Sequence, residues 1–138
     1  MRIKATCGLV LALIASAAAA GPLEDQVTRA YSAWDAAFNK ADGKAVAAFY
    51  APDSIFLPAN HEVIKGPGGV ETFFTGLFGA GVTGHKLDLI DAKGDGNTVV
   101  AAAKWSAKAG DKEIGGIATH VFEKQSDGSM KLRMHTFR

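Results

Sequence analysis

The chain has 138 residues, 48% of them apolar and 21% charged, with a net charge of +1 and one cysteine. That length makes a single domain, and the composition excludes the disordered, collagenous and coiled-coil classes. Near-neutrality without a Lys/Arg run gives no electrostatic basis for binding nucleic acid, and one cysteine closes no internal disulfide.

These totals mix two segments. Residues 1–20 read as a secretory leader, with a basic start at Arg2 and Lys4, an apolar run from Ala5 to Ala15, and small residues Ser16 to Ala20. Ala18-x-Ala20 places cleavage after Ala20. The apolar run is short for a membrane span, and Cys7 lies too early and in too polar a context for lipid attachment. The expected mature domain, 21–138, carries a net charge of −1, has no cysteine and keeps every aromatic residue. It is expected in the periplasm or outside the cell, with no membrane association after cleavage.

Helices are predicted first. Pro22 suits a first helical turn. Leu23, Val27, Ala30, Tyr31, Trp34, Ala37, Phe38 and Ala41 then recur at helical spacing. Asp42 caps a second helix, Gly43 to Tyr50, ended by Pro52-Asp53. Ser54 to Leu57 is a short strand, Val63 to Lys65 another, and a third helix runs from Gly66 through Phe78. From Gly84 the period becomes that of strands. His85–Lys93, Thr98–Lys108, Glu113–Gln125 and Met130–Arg138 are separated by Asp/Gly turns, which are hairpin signals. The expectation is an α+β domain: N-terminal helices packed on a curved antiparallel sheet.

Hairpin register assigns the faces. A last turn centred on Asp127-Gly128 sets His120 opposite His135, Phe122 opposite Arg133 and Ala118 opposite Phe137. The turn at Gly110-Asp111 adds Val99, Ala101, Ala103 and Trp105 to the same face, with Trp105 opposite Gly116. Leu132, Met134 and Thr136 fall on the other face. The first face mixes aromatics with two histidines and an arginine, as small-molecule pockets do.

The run Ala33 to Ser54 resembles the opening of SnoaL-like domains, which belong with ketosteroid isomerase and nuclear transport factor 2. Lys65-Gly66 before the third helix, and Thr119 to Phe137 with Met130 where Trp is usual, are similar to the rest of that pattern. The resemblance implies a cone-shaped barrel with a cavity between curved sheet and helices, and a frequent sheet-to-sheet homodimer. It specifies fold far better than function. It also places Trp34 at the isomerases' helix-1 tyrosine, Pro58 at their catalytic aspartate, Tyr50 and Phe74 at two further pocket tyrosines, His120 at the oxyanion-hole aspartate and Phe137 at a pocket aromatic. Proton transfer next to a carbonyl needs a base and an oxyanion donor together. With Trp34 and Pro58 in those places, no ketosteroid isomerase activity is expected.

The candidate ligand-binding residues are therefore Trp34, Tyr50, Phe56, Phe74, Trp105, Phe122 and Phe137. The candidate catalytic residues are His120 and His135, one neutral while the other is charged, with Arg133 to hold a carboxylate or enolate oxygen. The plainer alternatives are a cross-strand histidine pair and a solvated strand end. Asp35 and Asp53 read as a helix-surface and a turn residue. No metal is expected, because His61 and His85 lie on separate elements and no third ligand joins the pair. No cofactor is implied, the glycines after Lys65 lacking phosphate-loop spacing. Three readings compete: a domain binding a small apolar or aromatic molecule, which we favour; a dehydratase or isomerase using His120 and His135; and a dimerising interaction module.

Overall fold

The computed structural model describes residues 22–138, so the leader and its cleavage site lie outside the described residues. Helix α1 spans Leu23–Asn39 and α2 Gly43–Ala47, followed by strands β1 Tyr50–Leu57 and β2 Ile64–Lys65. Helix α3 covers Gly66–Gly79, and strands β3 Val82–Asp95, β4 Thr98–Ala109, β5 Lys112–Lys124 and β6 Met130–Phe137 complete the chain. Among the described residues no helix is long and apolar enough to cross a membrane.

The apolar stripe of α1 is buried through Val27, Tyr31, Trp34, Ala37 and Phe38. Asp42 caps α2 as expected, its side chain accepting from the Ala45 amide at 2.9 Å. The second helix is shorter than its pattern predicts. It stops at Ala47, and Tyr50 already pairs with Leu132 in the sheet. The first strand therefore begins at Tyr50 rather than Ser54. Pro52 is tolerated inside it because pairing with β6 lapses between Tyr50 and Ile55, where no ladder donor is required.

One six-stranded sheet has the order β2-β1-β6-β5-β4-β3. Strands β3 to β6 form the antiparallel meander read from the turns. The sheet as a whole is mixed, because β1 lies parallel to β6. It remains open, with β2 and β3 as its edges. The helices cover one face, and the core between them holds Val27, Val46, Phe56, Val70, Val99 and Phe74.

The β4–β5 register is as expected, with Trp105 opposite Gly116. The missing side chain matters more than expected: a Cβ on Gly116 would sit 1.8 Å from the Arg138 carbonyl oxygen and 3.0 Å from Trp105 Nε1. Both the indole and the last backbone segment need that space. The β5–β6 register holds for Ala118–Phe137 and His120–His135. It then slips: Val121 pairs with Met134, but Phe122 pairs with Leu132. Arg133 is the extra residue of this β-bulge.

Candidate functional site

The bulge decides which side chains enter the interior. It turns Leu132 inward, where it is buried, and leaves Arg133 exposed on the outer face. There Arg133 donates to Glu123 Oε2 at 2.6 Å and to Asp53 Oδ2 at 2.5 Å. The expected grouping of Arg133 with the two histidines is thus corrected, since a one-residue insertion reverses the facing of everything on its far side. Asp53 is likewise a strand residue holding Arg133, not a turn residue.

His120 and His135 do come together, their ring centroids 4.6 Å apart. Each is buried and tied to a tyrosine: Tyr31 Oη lies 2.8 Å from His120 Nδ1, and Tyr50 Oη 2.7 Å from His135 Nδ1. Burial pushes His120 down to about 3 and His135 well below the usual histidine range, the neighbouring imidazoles adding to the effect. Burial thus disfavours charge on both rings, against the expectation that one of them can be charged. Burial also raises both tyrosine hydroxyls far above their usual range, so they remain phenols. The Trp34 indole has its Nε1 buried without a hydrogen bond of good geometry.

Between sheet and helices lies a cavity of about 100 Å³, walled by Trp34, Phe38, Phe74, Trp105 and Phe137, with His85 and His135 as its titratable groups. Of the seven aromatic residues expected to bind a ligand, Trp34, Phe74, Trp105 and Phe137 line it. Tyr50, Phe56 and Phe122 do not. Tyr50 stands behind His135, and Phe56 is fully buried against Phe74 at 5.3 Å and Phe137 at 5.8 Å between ring centroids. Phe122 and His120 border a separate crevice of about 10 Å³ with Tyr31, room for about one water.

The polar group that sequence reasoning missed is His85. Its Nδ1 lies 2.7 Å from Asp35 Oδ1, and the Leu87 amide donates to Asp35 Oδ2 at 2.9 Å. Asn39 brackets the same residue, accepting from the His85 amide at 2.8 Å and donating to its carbonyl at 2.9 Å. The His85 ring lies tilted against Phe38 at 4.7 Å and faces Trp105 at 6.1 Å in nearly parallel planes. Asp35 is therefore not a solvated helix residue. The missed signal was Tyr31, Asp35 and Asn39 at four-residue spacing, a polar ladder along the edge of the apolar stripe. Each rung meets the sheet, at His120, His85 and the His85 backbone in turn.

The sequence pattern of SnoaL-like domains matches residues 29–132. The chain belongs to the SnoaL-like domain family. No curated protein matches it significantly. Solved structures similar to this SnoaL-like domain include a putative calcium/calmodulin-dependent protein kinase II association domain from Xanthomonas campestris. The two share 21% identity over 86% of this chain and 89% of that one, with a TM-score of 0.74. An NTF-2-like protein of unknown function from Shewanella oneidensis MR-1 is 15% identical over 83% of this chain and 97% of its own, with a TM-score of 0.71. A ketosteroid isomerase-like protein from Erwinia carotovora atroseptica SCRI1043 is 16% identical over 84% and 96%, with a TM-score of 0.65. At these identities the likeness is one of fold, and the open mixed sheet under three helices is the cone fold of those neighbours. Function must be argued from the side chains of this SnoaL-like domain itself.

Proposed function

We propose that this SnoaL-like domain binds a small apolar or aromatic molecule, of about one ring, in the cavity between α1, α3 and the sheet. The observation that carries the reading is the cavity wall, five large aromatics with two imidazoles among them, as in specific pockets for small ligands. Its 100 Å³ limits the ligand to one small ring at most, an engineered apolar cavity of roughly 150 Å³ taking benzene. It falls well short of the ~300 Å³ at which pockets for larger ligands begin. A steroid is too large for it, in keeping with the absence of isomerase activity expected from Trp34 and Pro58. The leader read in residues 1–20 makes the proposed place of action periplasmic or extracellular.

Binding of benzene, followed by thermal shift and NMR titration, tests the reading. Saturable binding is expected in the natural chain and in Arg133→Ala, whose side chain lies outside the cavity. It is expected to vanish in Ala107→Leu, which fills space that the buried Ala107 leaves open. Equal binding by Ala107→Leu and the natural chain would place the ligand elsewhere and sink the proposal.

Self-association through the sheet is a second component of the proposal. Ile55, Met134, Val121 and Val100 lie in register across four strands on the face turned away from the helices. Val100 is 50% and Met134 38% exposed. Arg133, Asp53 and Glu123 flank this row with both signs of charge, which a two-fold partner can match. We expect a homodimer by analytical ultracentrifugation, and a monomer for Val100→Asp. A natural chain that stays monomeric at 100-micromolar order concentrations, roughly the range of weak specific contacts, would refute this part.

A further inference from the structure

One wall of the cavity is loosely held. Leu77 and Val82 line it from the end of α3 and the start of β3. From Thr75 to Gly84 every residue is at least partly exposed. Val82 pairs with Ala109 and Thr83 with Lys108, and pairing with β4 then lapses until Lys86. The loop between α3 and β3 is tied to the β4–β5 turn by the Gly110 amide, which donates to the Gly81 carbonyl at 3.3 Å. That is longer than the usual range for such a bond.

Both ends of this segment are firmly fixed. Upstream, Phe74 is buried and packs against Trp34 and Phe56, each at 5.3 Å between ring centroids. Downstream, Asn39 holds the His85 backbone through both its amide and its carbonyl, and Asp35 accepts from the Leu87 amide. Between these anchors, Gly76 and Gly79 stand in α3 without positive φ, and a Cβ on either would meet nothing within 4 Å. Neither packing nor backbone conformation requires glycine there, and each glycine weakens the end of the helix relative to alanine. Sparse burial, interrupted pairing and a weakened helix end are the features of a segment that opens locally while the rest stays folded.

We infer that Thr75–Gly84 is the gate of the cavity, a segment that swings out between the anchors Phe74 and His85 to admit and release the ligand. The inference rests on the proposed reading of the cavity as a ligand site. Opening carries Leu77 and Val82 away from the cavity and parts Phe78 from Phe38, whose ring centroids are 4.9 Å apart when closed. Phe74 and His85 stay in place as fixed wall. The Asn39 bracket thereby gains a purpose, because it stops the opening from running on into β3.

Amide hydrogen exchange and the kinetics of benzene binding test the gate. In the natural chain the amides from Leu77 to Gly81 are expected to exchange at least about tenfold faster than those of Phe73 and Phe74, after correction for intrinsic rates. Each alanine in Gly76→Ala/Gly79→Ala is expected to lower the open population about threefold. The double variant should therefore slow exchange at these amides by about tenfold. It should slow benzene entry and exit by the same factor, with affinity kept within about twofold. Gly68→Ala adds a methyl to equally open space in the first turn of the same helix, and should change none of these. Benzene bound with exchange or binding rates unmoved in the double variant overturns the gate and leaves the ligand site standing. So does an equal slowing by Gly68→Ala. Benzene that does not bind at all overturns the two together.

Discussion

Acidification from pH 6.5 is expected to destabilise the domain steeply, before its carboxylates are titrated. In the unfolded chain His120 and His135 take up protons near the ordinary histidine value of about 6.5. In the folded chain burial prevents this, His120 being held down to about 3 and His135 shifted in the same direction. The unfolded state thus binds more protons between those limits, and stability rises with pH across the window. Above pH 6.5 the stability is fully present; it drains away as pH falls toward 3. A group held below the window contributes about 1.4 kcal/mol per pH unit, so His120 alone removes roughly 2–3 kcal/mol between pH 6.5 and 4.5, and His135 acts in the same direction. That is a sizeable share of the 5–15 kcal/mol typical of a domain. Urea unfolding at a series of pH values checks the slope, and His120→Phe should reduce it. Stability that is flat between pH 7 and 5 would mean that the two rings accept protons in place.

The second large effect concerns Phe56. Its side chain is fully buried among five aromatic neighbours, with centroids at 4.8 Å to His135, 5.0 Å to Phe73, 5.3 Å to Phe74, 5.8 Å to Phe137 and 6.3 Å to Tyr50. Phe56→Ala removes the contact joining β1, β6 and α3 and leaves a void that rigid rings cannot fill. A loss of about 3–5 kcal/mol is expected, measured by denaturant unfolding at neutral pH. The Arg133 pairs with Glu123 and Asp53 have shorter contacts, yet they lie in water. Arg133→Ala is expected to change stability far less, because solvent screens its exposed ion pairs. A Phe56→Ala loss no larger than that would show that the aromatic cluster repacks freely.

The contrast between Phe56 and Arg133 marks where pattern reading succeeds. Phe56 is one of the aromatics expected to line the pocket, and in the structure it does face inward. The structure sets it one layer deeper, as support for Phe74 and Phe137 rather than as cavity wall. Arg133 was placed by counting across a turn, and counting assumes that no residue is inserted. A bulge leaves no local composition signal of its own here: Leu132, Arg133 and Met134 fit either register. The bulge is settled by Leu132 packing into the core beside Phe122 and by Asp53 and Glu123 meeting the guanidinium from two neighbouring strands.

The Asp35–His85 pair was missed for a different reason. Its members are fifty residues apart, on a helix and a strand that the hairpin rules do not connect. The four-residue ladder of Tyr31, Asp35 and Asn39 was present in the chain, but a polar residue beside an apolar stripe reads as solvated until the opposing surface is known. Family membership alone could not identify this site, because the fold hosts many chemistries and the helix-1 position shared with the isomerases is Trp34.

What this sequence determined by itself is local or periodic: the amphipathic α1, the Asp42 cap, the three hairpins, and with them the cone fold. These follow from alternation and turn chemistry acting within a few residues. The leader expected at the start is a reading of the same kind, outside the described residues. The tertiary structure alone decided which polar groups face the cavity. That choice depended on a single inserted residue in β6 and on the packing of α1 against β3. Together they removed a charged arginine from the interior, made two histidines neutral by burial, and put an aspartate behind a third.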